Sequence, residues 1–223
     1  MRRVSPKALL KSSPVSSATN QGAEFKELTR QIQRAPGFAE TIAAMKNDRA
    51  GTIDGAWGSA SGLIAAAVGL HAPTTFVVVL AHVGDIDDFR DDIAVFSGIT
   101  PEVFPAWEKL PREQDATDEI SGARLRVLGR LSGAMPPRLV VTSIQALLQP
   151  VPKREVLLRM SKRIAVGDTL PVEELTAWLL ERGMQRAEVV EVPGEFSLRG
   201  GIFDVFPADA TDPVRIEDFG DEV

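Results

Sequence analysis

The sequence predicts an α/β domain built on a parallel sheet, followed by a smaller α+β domain. Three observations carry this. Strand-like and helix-like segments alternate from about residue 50 to Pro150, as they do when helices wrap a parallel sheet. After Pro150 and Pro152 the pattern changes to a helix and then short strands separated by pairs of glycines and prolines. The length, 223 residues with 44% hydrophobic and 25% charged, suits one large or two small domains. The reading divides the chain into 1–35, a disordered tail and short helix; 36–150, the α/β domain; and 151–223, the α+β domain.

Residues 1–22 are rich in Ser, Pro and Lys, which predicts disorder, and Glu24–Arg34 predicts a short helix ended by Pro36-Gly37. Thr52–Ala56 reads as a short strand. Ser59–Leu70 is small and apolar on every side, the mark of a buried helix. Thr75–Leu80 is a β-branched run, expected of a strand covered on both faces. Between Asp85 and Phe96, the apolar Ile86, Phe89, Ile93 and Phe96 recur at helical spacing, while Asp87, Asp88, Asp91 and Asp92 form the other face. Val103-Phe104 reads as a strand before a loop from Pro105 to Pro111. A helix over Asp118–Leu131, a strand over Leu139–Thr142 and a helix over Ser143–Leu148 follow. In the second domain Lys162–Val166 reads as a strand, and Val156–Met160 fits either a strand or a helix. Pro171–Glu181 opens with Pro and acidic residues, as a helix N-terminus does. Ala187–Val192, Glu195–Leu198, Gly201–Phe206 and Val214–Phe219 read as an antiparallel meander. Val223 falls inside the run RIEDFGDEV, so the chain is expected to be the N-terminal piece of a longer protein, truncated at the end of its second domain.

The absence of cysteine removes disulfides and thiolate chemistry, and His71 and His82 are too few for a multi-histidine metal site. The basic start has no apolar core of a signal peptide, and no apolar run approaches the roughly 18 residues of a membrane span. A cytoplasmic protein is expected. Residues 1–34 hold seven Lys/Arg against Glu24 and Glu27, a net +5, so the remainder nets −11. So acidic a body repels phosphate backbone, which argues against autonomous nucleic-acid binding. Lys153, Arg154, Arg159, Lys162 and Arg163 form a local basic cluster that reads as a solvated face, with DNA or an acidic partner as the alternative. The acidic face over 87–92 lacks the spacing and glycine turn of a calcium loop.

Gly55-Ala56-Trp57-Gly58-Ser59-Ala60-Ser61-Gly62 stands where a strand is expected to meet a helix. A Walker A loop, GxxxxGK[ST], occupies that junction; its amides cradle phosphates, its Lys reaches the β/γ-phosphates and its hydroxyl holds magnesium. Anchored at Gly55 and passing Gly58, this chain has Ala60 for the second glycine, Ser61 for the lysine and Gly62 for the hydroxyl residue. The first domain is thus expected to be P-loop-like with a degenerate Walker A, unable to stabilise phosphoryl transfer. The alternative is a tight turn with no ligand history.

Gly194-Glu195-Phe196-Ser197-Leu198-Arg199-Gly200-Gly201-Ile202-Phe203-Asp204-Val205-Phe206-Pro207, followed by Pro213-Val214-Arg215-Ile216-Glu217-Asp218-Phe219-Gly220-Asp221-Glu222, resembles the GEFxxRGGxxDxFP…PxRxExFGDE signature shared by transcription-repair coupling factors and the excision-repair helicase UvrB. Phe104-Pro105-Ala106-Trp107-Glu108-Lys109-Leu110-Pro111, Arg124-Leu125, Thr142-Ser143-Ile144-Gln145-Ala146-Leu147-Leu148-Gln149 and Gly167-Asp168 are similar to further motifs of the coupling-factor branch. The resemblance runs from about residue 36 to the end. Gly183-Met184-Gln185-Arg186 departs from it where members have Gly-Tyr before a basic residue, and Asp218 replaces an aromatic.

The resemblance implies a non-catalytic scaffold followed by an α+β UvrB-interaction domain that recruits UvrA in nucleotide excision repair. No cofactor is implied here. The parent would be an ATP- and magnesium-dependent DNA translocase that displaces stalled RNA polymerase, with the motor and the polymerase- and DNA-binding parts elsewhere in the chain. Arg186, Glu195, Phe196 and Arg199 are the expected UvrA contacts. Arginine suits desolvated contacts with carboxylates, and an aromatic can anchor an interface. Phe196 as a core residue and Glu195–Arg199 as an ion pair are the alternatives. Two other functions stay open: an ATP-using UvrB-type helicase domain, and an unrelated α/β ligand-binding domain using His82 and Asp85 beyond a strand end.

Overall fold

The computed structural model describes residues 16–47, 49–108, 118–169 and 171–217. The expectations for residues 1–15, for the end of the loop to Pro111, and for Asp218 and Phe219 lie outside the described residues.

The chain enters on α1 (Ser16–Gln33) and α2 (Phe38–Lys46). The first sheet is three-stranded and parallel, β1 (Phe76–Leu80), β2 (Glu102–Phe104) and β3 (Leu139–Ser143), in the order β1-β3-β2. α3 (Ser59–Gly69) precedes β1, α4 (Ile86–Ser97) crosses from β1 to β2, and α5 (Glu119–Ser132) from β2 to β3. β3 is central and buried throughout, pairing Val78 with Val141 on one side and Val103 with Val141 on the other. One face of the sheet packs Leu139 and Val141 against Ala65 and Ala66 of α3 and Ile93 and Phe96 of α4. The other packs Phe104 and Val140 against Val127 of α5.

Three expectations for this half are corrected. The helix begins at Ser16, inside the stretch read as disordered, and it is part of the domain. Phe25 meets Phe96 edge to face at 5.7 Å, and the buried Thr29 donates from Oγ1 to the Phe96 carbonyl at 2.8 Å. Ile32 continues that stripe into α3. Its polar flanks hid the periodicity. Thr52–Ala56 forms no strand: Thr52, Ile53 and Asp54 are exposed, and no neighbour supplies a ladder. Nor is β1 covered twice, because it is an edge strand whose Val77 and Val79 are nearly half exposed beyond the reach of α5.

α6 (Ile144–Leu147) ends the first half, capped by Ser143 Oγ accepting from the Ala146 amide at 3.2 Å. The ambiguous segment is helical, α7 (Arg154–Met160), and α8 (Val172–Glu181) follows. The second sheet is four-stranded in sequence order, β4 (Gln185–Arg186), β5 (Glu195–Arg199), β6 (Ile202–Val205) and β7 (Val214–Glu217). β5-β6-β7 is the expected antiparallel meander, but β4 is only two residues long and runs parallel to β5. The strand read over Ala187–Val192 is absent, since the Glu191 and Val192 amides bond a side chain and not a neighbouring strand. The strand read over Lys162–Val166 is absent too; only Ile164 packs inward, and Ala165–Asp168 is a turn with Gly167 at φ +90°. Leu175 and Leu179 of α8 pack on Phe196, Phe203 and Val205, with Met184 filling the place expected for a tyrosine.

The halves touch where α5 meets the turn after β6. A Cβ on Gly122 would fall far inside van der Waals contact with the Ala208 carbonyl oxygen. One turn along, Arg126 Nε donates to the Asp209 carbonyl at 2.9 Å.

Candidate functional site

The segment from Gly55 to Gly62 is a turn into α3 with no strand before it. Gly55 and Gly58 take φ of +80° and +55°, and Gly58 is the residue before the helix. The first amides are used internally. Ala60 N–H donates to Trp57 O at 3.2 Å and Ser61 N–H to Gly58 O at 3.0 Å. Ser61 Oγ folds back on Ala56 O at 3.3 Å. Gly62 lies against α4, where an added Cβ would stand 2.6 Å from Asp92 Cβ. The segment has neither lysine nor arginine to meet a phosphate. Gly62 is therefore needed for the close approach of two helices.

Motifs scattered over 104–150 converge on one buried side chain. Arg124 of α5 is 2% exposed, and its guanidinium lies 3.9 Å from the Trp107 ring centroid and 4.2 Å from that of Phe104. Its Nη1 donates to Pro105 O at 2.6 Å and Gln149 Oε1 at 3.2 Å, and its Nη2 to Pro150 O at 3.2 Å. Gln149 also accepts from Trp107 N at 2.8 Å and donates to Trp107 O at 2.8 Å, while Trp107 Nε1 donates to Ser121 Oγ at 3.0 Å. Burial pushes the guanidinium pKa down, as removal from water disfavours its charged form. The cluster ties β2, α5 and the chain after α6 together. Spacing did not single it out.

Of the four expected partner contacts two are exposed, but the register sets Arg186 level with Phe196, on the opposite side of the sheet from Arg199. Arg186 and Arg199 are exposed, on β4 and at the end of β5. Phe196 is fully buried, stacked on Phe203 at 5.7 Å with planes 3° apart. It is a core residue, because it lies on the inward-pointing side of β5 under α8. Glu195 has no ion pair with Arg199; its Oε2 accepts from the amides of Glu191 and Val192 at 2.9 and 3.2 Å, holding the loop between β4 and β5. Ser197 Oγ donates to Glu188 O at 3.2 Å and pins the same loop.

The sequence reasoning passed over Asp204 and Arg215. Their register pairs them across β6 and β7, and Arg215 Nε and Nη2 bond the two oxygens of Asp204 at 2.7 and 3.0 Å. That fork holds the Asp204 carboxyl below its usual range, first through the hydrogen bond and then through the charges of Arg215 and Arg199, against a burial cost acting upward. Strand alternation was the available signal: with Phe203, Val205 and Ile216 inward, Asp204 and Arg215 must face out. With Arg199 they make an open face of mixed charge that suits a polar protein partner.

His82 and Asp85 are exposed at the end of β1, with a 3₁₀ turn between them. The face of α4 is used internally, with Arg90 pairing Asp87 at 3.6 Å and Asp91 at 2.9 Å. The basic residues from Lys153 to Arg163 are exposed. Among the described residues, no cluster of three His, Asp or Glu could hold a metal, and no helix is long and apolar enough to cross a membrane.

A family model of the UvrB interaction domain matches residues 163–223. The transcription-repair-coupling factor of Mycobacterium tuberculosis is 35% identical over 173 residues, 74% of this chain and 14% of that protein. That of Bacillus subtilis is 39% identical over 108 residues, 48% of this chain and 9% of its own. UvrABC system protein B of Thermus thermophilus is 33% identical over 132 residues, 59% of this chain and 20% of its own. The chain thus spans less than a fifth of the coupling factors it matches. The α/β half with its parallel sheet, the meander with its GEF and RGG segments, and these relatives agree: the chain is a UvrB-like module of the transcription-repair-coupling-factor type, with a UvrB interaction domain in residues 163–223.

Proposed function

We propose that the chain is a non-catalytic docking module that recruits UvrA through the open face of its second sheet, in transcription-coupled nucleotide excision repair. The observation that carries this reading is a coincidence of place. The UvrB interaction domain covers the sheet whose exposed side presents Arg199 beside the Asp204–Arg215 fork. Exposed arginine with neighbouring fixed charges is the chemistry by which one protein reads carboxylates on another. Phe196 is no longer among the contacts, and Glu195 acts by shaping the loop beside them.

The turn over Gly55–Gly62 is read as a phosphate loop that has lost its cation and its magnesium ligand, so this module takes no nucleotide. ATP and magnesium, DNA translocation and contact with RNA polymerase belong to other parts of the whole protein, as do all of its enzymatic steps.

The test is capture of purified UvrA by the immobilised chain, by its Arg199→Glu variant and by a Lys46→Glu control on α2. Reversing a central arginine weakens binding by about 2–4 kcal/mol, roughly thirtyfold or more. Equal capture by all three, with circular dichroism showing each folded, refutes the assignment. Calorimetry with Mg-ATP tests the second part, and a saturable heat would overturn it.

A further inference from the structure

One unexplained feature lies between the two halves. A cleft of about 460 Å³ opens between α5, the segment following α7, α8 and the inner face of the second sheet. That volume is within the roughly 300–1,000 Å³ typical of small-molecule sites, which favour domain junctions. We propose that this cleft binds a small amphipathic carboxylate, its apolar body among Leu125, Leu157, Ile164 and Trp178, its carboxylate between Lys162 and Arg182.

The lining is built for an apolar occupant. α5 contributes Leu125 and, one turn on, Gly129; α7 contributes Leu157 and Met160. Leaving that much hydrocarbon around open space forgoes the contacts a close-packed interior makes. The ionisable groups on the wall are Lys162 and Arg182 against Asp209, so the polar end favours an anion. Arg182 is under-used. Its Nη1 donates to Trp178 O at 3.0 Å, and the exposed Glu181 stands 3.5 Å away, but the buried Nε–H has no acceptor among the described residues. The guanidinium stacks 3.9 Å from the Trp178 ring centroid, so cation and aromatic wall are already in place. The Arg182 side chain keeps about a quarter of its surface open, and that exposed part of the guanidinium is what a carboxylate oxygen would meet.

Gly129 supplies a clean test. Nothing stands within 4 Å of a Cβ added there, so a leucine at this position starts from open space on the cleft wall. The same change favours the α5 helix. The chain is titrated with decanoate and with decan-1-ol, followed by calorimetry and by tryptophan fluorescence, which reports on Trp178. The proposal requires saturable single-site decanoate binding that is tighter than decanol binding. Lys162→Gln should weaken decanoate about tenfold and leave decanol unchanged, and Gly129→Leu should abolish both while melting no lower than wild type. No saturable decanoate binding to the wild-type chain overturns the proposal, as does wild-type affinity in Gly129→Leu. Should Gly129→Leu fail to fold, Lys162→Gln decides alone: an unchanged decanoate affinity refutes the site. Failure here leaves UvrA capture untouched, because Arg199 and the open sheet face are not part of the cleft.

Discussion

Replacing Arg124 with methionine asks whether a buried cation with no carboxylate partner among the described residues stabilises this fold. Methionine keeps an unbranched apolar stem and removes the guanidinium. The loss is three charged hydrogen bonds, to Pro105 O, Gln149 Oε1 and Pro150 O, at about 1.5–3 kcal/mol each. Contact with the Trp107 and Phe104 rings adds about 1–2 kcal/mol per ring when desolvated. Against this stands the cost of holding a charge out of water, several kcal/mol, and burial pushes the Arg124 pKa down in the same sense. The variant recovers that cost and leaves the half-buried Pro105 carbonyl and the carbonyl of the exposed Pro150 without their donor. With the carbonyls only partly buried, the low end of each range applies: about 6.5 kcal/mol of hydrogen bonds and ring contacts is set against a charge relief of about 3–4 kcal/mol, a net loss of about 2–4 kcal/mol. In urea this lowers the midpoint by roughly 1–2 M for a slope of about 2 kcal/mol/M. Lysine should restore little, since it has no planar fork to reach carbonyls on both sides. A methionine variant with a midpoint at or above wild type would refute the reasoning, by showing that the guanidinium is buried at a net loss.

Four further outcomes follow from the geometry. Gly122→Ala should destabilise by about 1–3 kcal/mol despite alanine's better helix propensity, because its methyl meets the Ala208 carbonyl; urea melts measure it, and a more stable variant would contradict the contact. Restoring the phosphate motif with Ser61→Lys and Gly62→Thr should produce no Mg-ATP heat and a less stable protein, as the threonine Cβ meets Asp92 Cβ at 2.6 Å. Glu195→Gln should speed amide exchange at Glu191 and Val192 while leaving β5 protected, since only the loop latch is lost. Asp204→Asn should flatten the acid limb of the stability curve. The folded carboxyl has the lower pKa, so its contribution is full above the unfolded value of about 3.9 and fades as pH falls through the folded one. Equal acid sensitivity of wild type and variant would remove that fork from the account.

Much of the fold was legible because hydrophobic period is local. Ser59–Gly69, Phe76–Leu80, Ile86–Ser97, Leu139–Ser143 and the β5-β6-β7 meander each announce themselves through spacing their own residues impose. The errors fell where a long-range partner decided. Ser16–Gln33 is polar enough to pass for a tail until Phe96 and its carbonyl give Phe25 and Thr29 something to meet. Thr52–Ala56 has strand-like residues but no neighbour to pair with, and the amides after β4 took the Glu195 carboxylate in place of a ladder. Phe196 looked like an anchor because an aromatic in a motif does not say which face of a strand it occupies; the register under α8 does.

The sequence by itself determined the family, the absence of a lysine between Gly55 and Gly62, and the succession of strands and helices from β1 to β3 and through the β5-β6-β7 meander, since these reside in residue identity and local period. Tertiary structure alone decided that Arg124 would gather Phe104, Trp107 and Gln149, that Asp204 and Arg215 would share one face with Arg199, and that a cleft would open beside Gly129. The physical reason is that charge pairing, burial and empty volume depend on distance through space, and the chain states only distance along itself.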